Sequence, residues 1–136
     1  MTPALSRRRL LASAALALLT APRALLARVV EPGHPAPRAG ITAAKLPTRE
    51  QLADVPEAIP VFDLVREIPQ VIDGIRCQCG CAGAQNFYSL LSCFEGEDAM
   101  ARHCAVCQGE ARLAHRLHKQ GKSLDAIRKG VDARYG

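Results

Sequence analysis

The sequence has 136 residues and a formal net charge of +5, enough chain for one small domain. The positive charge is concentrated at the start, because four of the 18 Lys and Arg residues and none of the 13 acidic ones lie before residue 28. The remainder is close to neutral and has no basic stripe with interleaved aromatic side chains. These features exclude nucleic acid as an expected partner.

The amino terminus has the pattern of an export signal: a basic cluster, an apolar run from Leu10 to Ala21, and then small residues. Within the cluster, Ser6-Arg7-Arg8-Arg9-Leu10-Leu11 is similar to a twin-arginine signal, with an ordinary secretory signal as the alternative. We predict a signal peptide over residues 1–27, cleaved after Ala27. The apolar run is shorter than the ~18 residues of a membrane span, so we expect a soluble periplasmic or otherwise extracytoplasmic protein.

A proline-rich segment follows the predicted signal. Seven prolines lie between residues 31 and 69, and residues 31–40 combine three of them with two glycines. Such a composition buries little apolar surface, which predicts a disordered or extended linker over residues 28–47. The folded domain is then expected over residues 48–136.

Short helices are predicted before the first cysteine. Thr48 and Gln51 have the spacing of a capping box, which predicts a helix from Arg49 to about Asp54. Prolines at positions 60 and 69 are each expected to open a further short helix with an apolar face. Both helices lead toward the cysteines.

The second half of the sequence is predicted to form a loop and three helices. A tight loop is expected from Cys77 to Ala84, then a short helix over Tyr88–Phe94. The longest helix should follow Cys104 and end at Gly121, and Ser123 should cap the last one. The predicted fold is therefore all-α, a small bundle of short helices around a cysteine-rich loop. A core of this size rarely supplies more than ~3–5 kcal/mol, so a metal or covalent staple is expected.

The cysteines are the strongest functional signal. All six lie in one stretch of 31 residues, where His103 is a further candidate ligand: Cys77, Cys79, Cys81, Cys93, Cys104 and Cys107. The three at alternate positions of a glycine-containing loop can turn their sulfurs toward one point, whereas a disulfide between them would be strained. The Cys104-x-x-Cys107 pair should begin a helix, where the macrodipole lowers thiol pKa values.

Three interpretations of the cysteines follow. The leading one is a non-enzymatic metal site with His103 as a further candidate ligand, Cys93 joining the core ligands or packing nearby, and five expected core ligands: Cys77, Cys79, Cys81, Cys104 and Cys107. Copper(I) is the first metal and zinc the second, since soft thiolates in excess of four favour Cu(I). The alternatives are a thiol-disulfide oxidoreductase acting through Cys104 and Cys107, and a disulfide-stabilised binding domain. Export of an already folded protein would favour a thiolate site loaded in the reducing cytoplasm. No catalytic triad, phosphate loop or zinc-protease motif is present, so no catalytic residue is assigned.

Five segments in order resemble the PCYCGC-motif proteins of bacteria. They are Cys77-Gln-Cys-Gly-Cys81, Ser89-Leu-Leu-Ser-Cys93-Phe94, Cys104-x-x-Cys107, Gly121-Lys-Ser with Ile127-Arg, and Asp132-x-x-Tyr135-Gly136. The resemblance implies an exported or lipid-anchored protein with a metal site at its cysteines. The leading interpretation itself predicts copper handling or delivery in the cell envelope, with an envelope metalloprotein as the client. Arg76 stands where the motif has proline and Gln78 where it has tyrosine.

A shorter resemblance covers residues 104–136. Cys-x-x-Cys-Gln, Gly-Lys-Ser, Ile-Arg and Arg-Tyr-Gly are similar to the dithiol subunit of cytochrome c maturation, a small helical periplasmic domain. The Cys-x-Cys-x-Cys loop is absent from that subunit. This resemblance therefore implies a shared helical scaffold rather than a shared function.

Overall fold

The computed structural model describes residues 33–136, and every regular element in that range is a helix. The predicted all-α class is confirmed. The predicted signal peptide and the first part of the predicted linker lie outside the described residues. No helix within residues 33–136 is long and apolar enough to cross a membrane.

The described residues form five α-helices and three 3-10 helices. The α-helices are α1 Ile59–Glu67, α2 Pro69–Asp73, α3 Cys81–Ala84, α4 Ala105–Lys119 and α5 Leu124–Tyr135; the 3-10 helices are Pro56–Ala58, Leu91–Phe94 and Met100–Arg102. Proline stands in the first turn of α1 and of α2, as predicted, where its missing N–H costs no helical hydrogen bond. Residues 77–80 are irregular as predicted, but Cys81 already begins a short helical turn.

The helix predicted over Arg49–Asp54 is wrong, although its capping box forms. The Gln51 N–H donates to Thr48 Oγ1 at 3.2 Å, and the Thr48 N–H donates to Gln51 Oε1 at 2.8 Å. Residues 49–54 nevertheless remain turns. The proline at 56 moves the residue before it out of the helical region, so too few residues remain to offset the cost of helix nucleation.

Residues 33–47 are irregular in backbone and packed against the helices. The Leu46 side chain is only 7% exposed. The Arg66 guanidinium donates to the Pro47 carbonyl, and the Tyr88 hydroxyl donates to the Ala36 carbonyl at 2.6 Å. Packing against the helices thus begins before Thr48, the start predicted for the domain.

The core lies between α1, α4 and the 3-10 helix that carries Cys93. The rings of Phe62 and Phe94 meet edge to face with centroids 5.0 Å apart, and both side chains are fully buried. Aromatic pairs of this kind add about 0.5–1.5 kcal/mol to the burial of their surface. The contact fixes the turn around Cys93 against α1.

Helices α4 and α5 pack on each other through a tight connection. Helix α4 ends in a Schellman motif, with the Gly121 N–H bonded to His118 O at 2.8 Å and the Lys122 N–H to Leu117 O at 3.1 Å. Gly121 has φ +74°, the left-handed conformation predicted for this stop. The Ser123 hydroxyl caps α5 by accepting the Ala126 N–H at 3.3 Å. The connection thus folds α5 back along α4.

A buried carboxylate joins three parts of the chain beside the cysteines. Asp73, at the end of α2, is fully buried and pairs with Arg38 at 2.6 Å. Its Oδ1 also accepts the Ser89 hydroxyl at 2.7 Å, and its Oδ2 accepts the Arg38 backbone N–H at 2.7 Å. Burial alone would raise the pKa of Asp73, but the hydrogen bonds from Arg38 and Ser89 outweigh it and lower that pKa.

We expect Asp73→Asn to destabilise the domain by about 3 kcal/mol, because it leaves the Arg38 guanidinium without its buried partner. Since the folded-state pKa of Asp73 is lowered, its contribution is present above the ordinary aspartate pKa and is lost as the pH falls through the folded-state value. Urea unfolding should therefore give a smaller difference in unfolding free energy between wild type and variant at about pH 3 than at pH 7. An equal deficit at both pH values would contradict this account.

Candidate metal centre

Four of the six cysteines converge on one point. The Sγ atoms of Cys77, Cys79, Cys93 and Cys107, the cysteine tetrad, all lie within 4.8 Å of one another. Ligands at ~2.3 Å from a central zinc ion would place their sulfurs roughly 3.8 Å apart in a tetrahedron, so small side-chain adjustments suffice to enclose one ion. The tetrad can therefore hold a metal ion.

The segment after α2 supplies the first two thiols. The Leu90 N–H donates to the Ile75 carbonyl at 2.7 Å, which holds the segment leading to Cys77 against the segment leading to Cys93. Gly80, with φ +72°, then turns the chain into α3. This turn leaves Cys77 buried and Cys79 partly exposed.

Cys93 and Cys107 come from two helical turns on the other side of the cluster. Cys93 lies in the 3-10 helix Leu91–Phe94, and Cys107 lies in the first turn of α4. Both side chains are completely buried. The Cys107 Sγ lies 3.5 Å from the Cys77 Sγ, which joins the two sides of the site.

Hydrogen bonds among the thiols favour a negative charge at one position. Hydrogen bonds from Cys107 first, and then from Cys93, lower the pKa of Cys77 far below that of an ordinary thiol. Hydrogen bonds to Cys77 and Cys93, and then burial, raise the pKa of Cys107. Burial, followed by the neighbouring Cys77, raises the pKa of Cys79 to about 11. Because the four thiols are coupled they titrate as one group, and the hydrogen bonds among them stabilise a thiolate charge that attracts a soft cation.

The pKa predicted for the Cys104-x-x-Cys107 pair is wrong for Cys107. The helix start was expected to lower it, but hydrogen bonds to Cys77, whose Sγ lies 3.5 Å away, and to Cys93, together with complete burial, raise it. Cys104 does lie at the helix start as expected, where its Sγ accepts the Cys107 N–H at 3.4 Å. The thiol contacts and the burial of Cys107 outweigh the partial charge of the helix terminus.

The structure leaves three predicted ligands outside the tetrad. Cys104 is partly exposed beside Cys107, Cys81 is exposed at the start of α3, and the His103 side chain is exposed. Their roles as ligands stay predictions. All six cysteines carry free thiols, whereas the disulfide alternative requires pairs.

Sequence reasoning missed Glu110, which lies one turn after Cys107 and is completely buried. Its Oε1 accepts the Gln78 N–H at 2.7 Å and so fixes the backbone between Cys77 and Cys79. Burial, and secondarily the negative charge of Cys77, raises the pKa of Glu110 to about 9. A glutamate three residues after a helical cysteine was the only sequence signal, and the pattern of α4 did not show that this position faces the cysteine loop.

Polar side chains also tie the cysteine loop to α5. The Arg76 N–H donates to His34 Nδ1 at 3.0 Å, so His34 Nε2 carries its proton toward the Asp132 carboxylate at 2.9 Å. The Gln78 side chain donates to the same carboxylate at 2.8 Å. Asp132 therefore anchors the loop through Gln78, the residue that replaces tyrosine in the resembled motif.

Comparisons with known proteins add no assignment. No family model, curated protein or solved structure matches the chain.

Proposed function

We propose that the protein is an exported, thiolate-based metal-binding protein that handles or delivers copper(I) in the cell envelope. The observation that carries the proposal is the convergence of four sulfurs within 4.8 Å of one another. Ordering buried thiols around one point in a small domain costs conformational entropy, and the free energy of metal binding offsets that cost.

The ligand chemistry favours soft metals. The tetrad consists of sulfur alone, and thiolates select Cu(I), zinc and iron–sulfur centres over hard cations. Four thiolates around Zn²⁺ would leave two net negative charges among side chains of which three are buried. Fewer thiolates suffice for the monovalent Cu(I), so less charge is buried. This difference supports copper(I) first and zinc second.

The geometry favours metal binding over the oxidoreductase alternative. A thiol-disulfide oxidoreductase of the Cys-x-x-Cys type uses one dithiol pair, with an accessible first thiol and a second thiol that resolves the mixed disulfide. Cys104 is the accessible thiol of this pair, but the Cys107 sulfur lies within 4.8 Å of three further thiols that such a reaction does not use. The convergence of these thiols on Cys107 supports a metal site.

The envelope location is proposed from the amino-terminal sequence. The twin-arginine-like segment at Arg7 and Arg8 and the apolar run after it support export, and a folded, metal-loaded domain is the kind of cargo that route accepts. A client metalloprotein in the envelope is the corresponding partner. The resemblance to PCYCGC-motif proteins supports the same assignment.

Anaerobic titration of the reduced protein tests the metal proposal. We expect Cu(I) to bind at a saturating, fixed ratio, and X-ray absorption at the copper edge to show sulfur as the ligand. Zinc should bind more weakly in direct competition. A first shell of nitrogen or oxygen, or no binding by reduced protein, would refute the tetrad as a metal site.

A further inference from the structure

We propose that Cys104 is the exchange thiol through which the metal enters and leaves the tetrad. This inference rests on the proposed function and deepens it, because it assigns a route to the same site. It distinguishes the tetrad, which holds the metal ion, from Cys104, which transfers it.

The position of Cys104 fits this role. Cys104 is the residue before α4, and its Sγ lies 3.4 Å from the Cys107 nitrogen, while its thiol contacts the Cys107 thiol. Cys107 and Cys93 are completely buried, whereas Cys104, like Cys79 within the tetrad, is partly exposed. Cys104 is therefore a sulfur adjacent to the tetrad, outside the group of four, and reachable from solvent.

Glu110 supplies a second observation at the same place. Its Oε2 is fully buried and has no hydrogen-bond partner among residues 33–136. The carboxyl group lies close enough to Cys77 and Cys104 to interact electrostatically with both. A buried polar atom without a partner costs about 1–3 kcal/mol, and this one lies where it can form a hydrogen bond with a tetrad sulfur that the metal has just left.

The exchange step conserves charge and oxidation state. On release, the Cys104 thiol gives its proton to solvent as its sulfur bonds to Cu(I). The bond from Cu(I) to one tetrad sulfur breaks, and that thiolate takes up a proton. An external thiol or chelator then replaces Cys104 on the metal by the same exchange, and copper remains Cu(I) throughout. The reverse sequence loads the site.

The structure supplies a conservative variant and a matched control. Serine is a preferred residue before a helix, so Cys104→Ser keeps the cap on α4 while removing the sulfur. Cys81→Ser removes an exposed thiol that lies outside the tetrad and begins a short helical turn. Each protein is loaded with Cu(I) and mixed with excess bathocuproine disulfonate, and transfer is followed by stopped-flow absorbance.

We expect Cys104→Ser to bind Cu(I) at the wild-type ratio and within about threefold of its affinity, but to transfer the metal at least tenfold more slowly. Cys81→Ser should match wild type in both measurements. Transfer by Cys104→Ser at the wild-type rate would overturn the route. A large loss of affinity would also overturn it, because Cys104 would then be a holding ligand. If wild type itself binds no Cu(I), the proposed function fails, which this experiment distinguishes from a failure of the route alone.

Discussion

Adding Cu(I) to the reduced, metal-free protein is expected to stabilise it by about 4 kcal/mol when free metal is a thousandfold above its dissociation constant. Only the folded chain brings all four tetrad sulfurs within 4.8 Å, so binding and folding are linked. For a domain of about 100 residues this corresponds to a rise of roughly 15–30 °C in Tm. Anaerobic circular dichroism melts at several free Cu(I) concentrations would measure it.

Cys93→Ser is the variant that tests this linkage most directly. Cys93 is a completely buried member of the tetrad, and the substitution replaces its thiol with a hydroxyl. The variant should keep its helical signal without metal and lose most of the metal-dependent rise in Tm. Cys81→Ser should keep the full rise. Equal stabilisation of all three proteins would mean that metal binds elsewhere than the tetrad.

Local signals in the sequence predicted most of the fold. Proline at the start of α1 and α2, Ser123 before α5 and Gly121 after α4 each act through neighbouring backbone groups, which a short sequence window contains. The failed helix after Thr48 shows the limit of such signals. Its capping hydrogen bonds form, but the proline at 56 ends the segment too soon.

The metal centre was predicted only in part, because it depends on contacts between distant segments. The sequence showed that six thiols are close along the chain, but it could not select four of them. Cys93 was expected to join the site or pack nearby, and its selection follows from the Phe62–Phe94 contact and the hydrogen bond between Leu90 and Ile75. Cys81 was expected among the core ligands, but Gly80 turns the chain so that its side chain is exposed.

The buried polar contacts could not be predicted from the sequence for the same reason. Asp73 and Arg38 are 35 residues apart, and neither belongs to a motif. In the sequence, Glu110 has no feature that distinguishes it from other polar residues of α4. Its role depends on the fold, which brings the Gln78 N–H into hydrogen-bonding contact with it. Both carboxyl groups fix the chain beside Cys77, one before it and one after it. The geometry of the tetrad therefore depends on polar partners as well as on the cysteines.

Mild oxidation of the metal-free protein should join Cys77 to Cys107 and abolish metal binding. Their sulfurs are 3.5 Å apart, against about 2.05 Å in a disulfide. Diamide would take up the two electrons and two protons that the thiols lose. We expect the Cu(I) affinity to fall by at least a hundredfold, because two of the four tetrad sulfurs are then bonded to each other.

Bound metal should prevent this reaction, since the same sulfurs are then engaged. Peptide mapping after alkylation would show which cysteines react: in the loaded protein Cys81 and Cys104 should be labelled, while the tetrad is protected. Reduction of the oxidised protein should restore binding, which separates disulfide formation from irreversible damage. A principal cross-link between Cys104 and Cys107, formed equally fast with and without metal, would instead favour the oxidoreductase alternative, because the pair would then react independently of the tetrad.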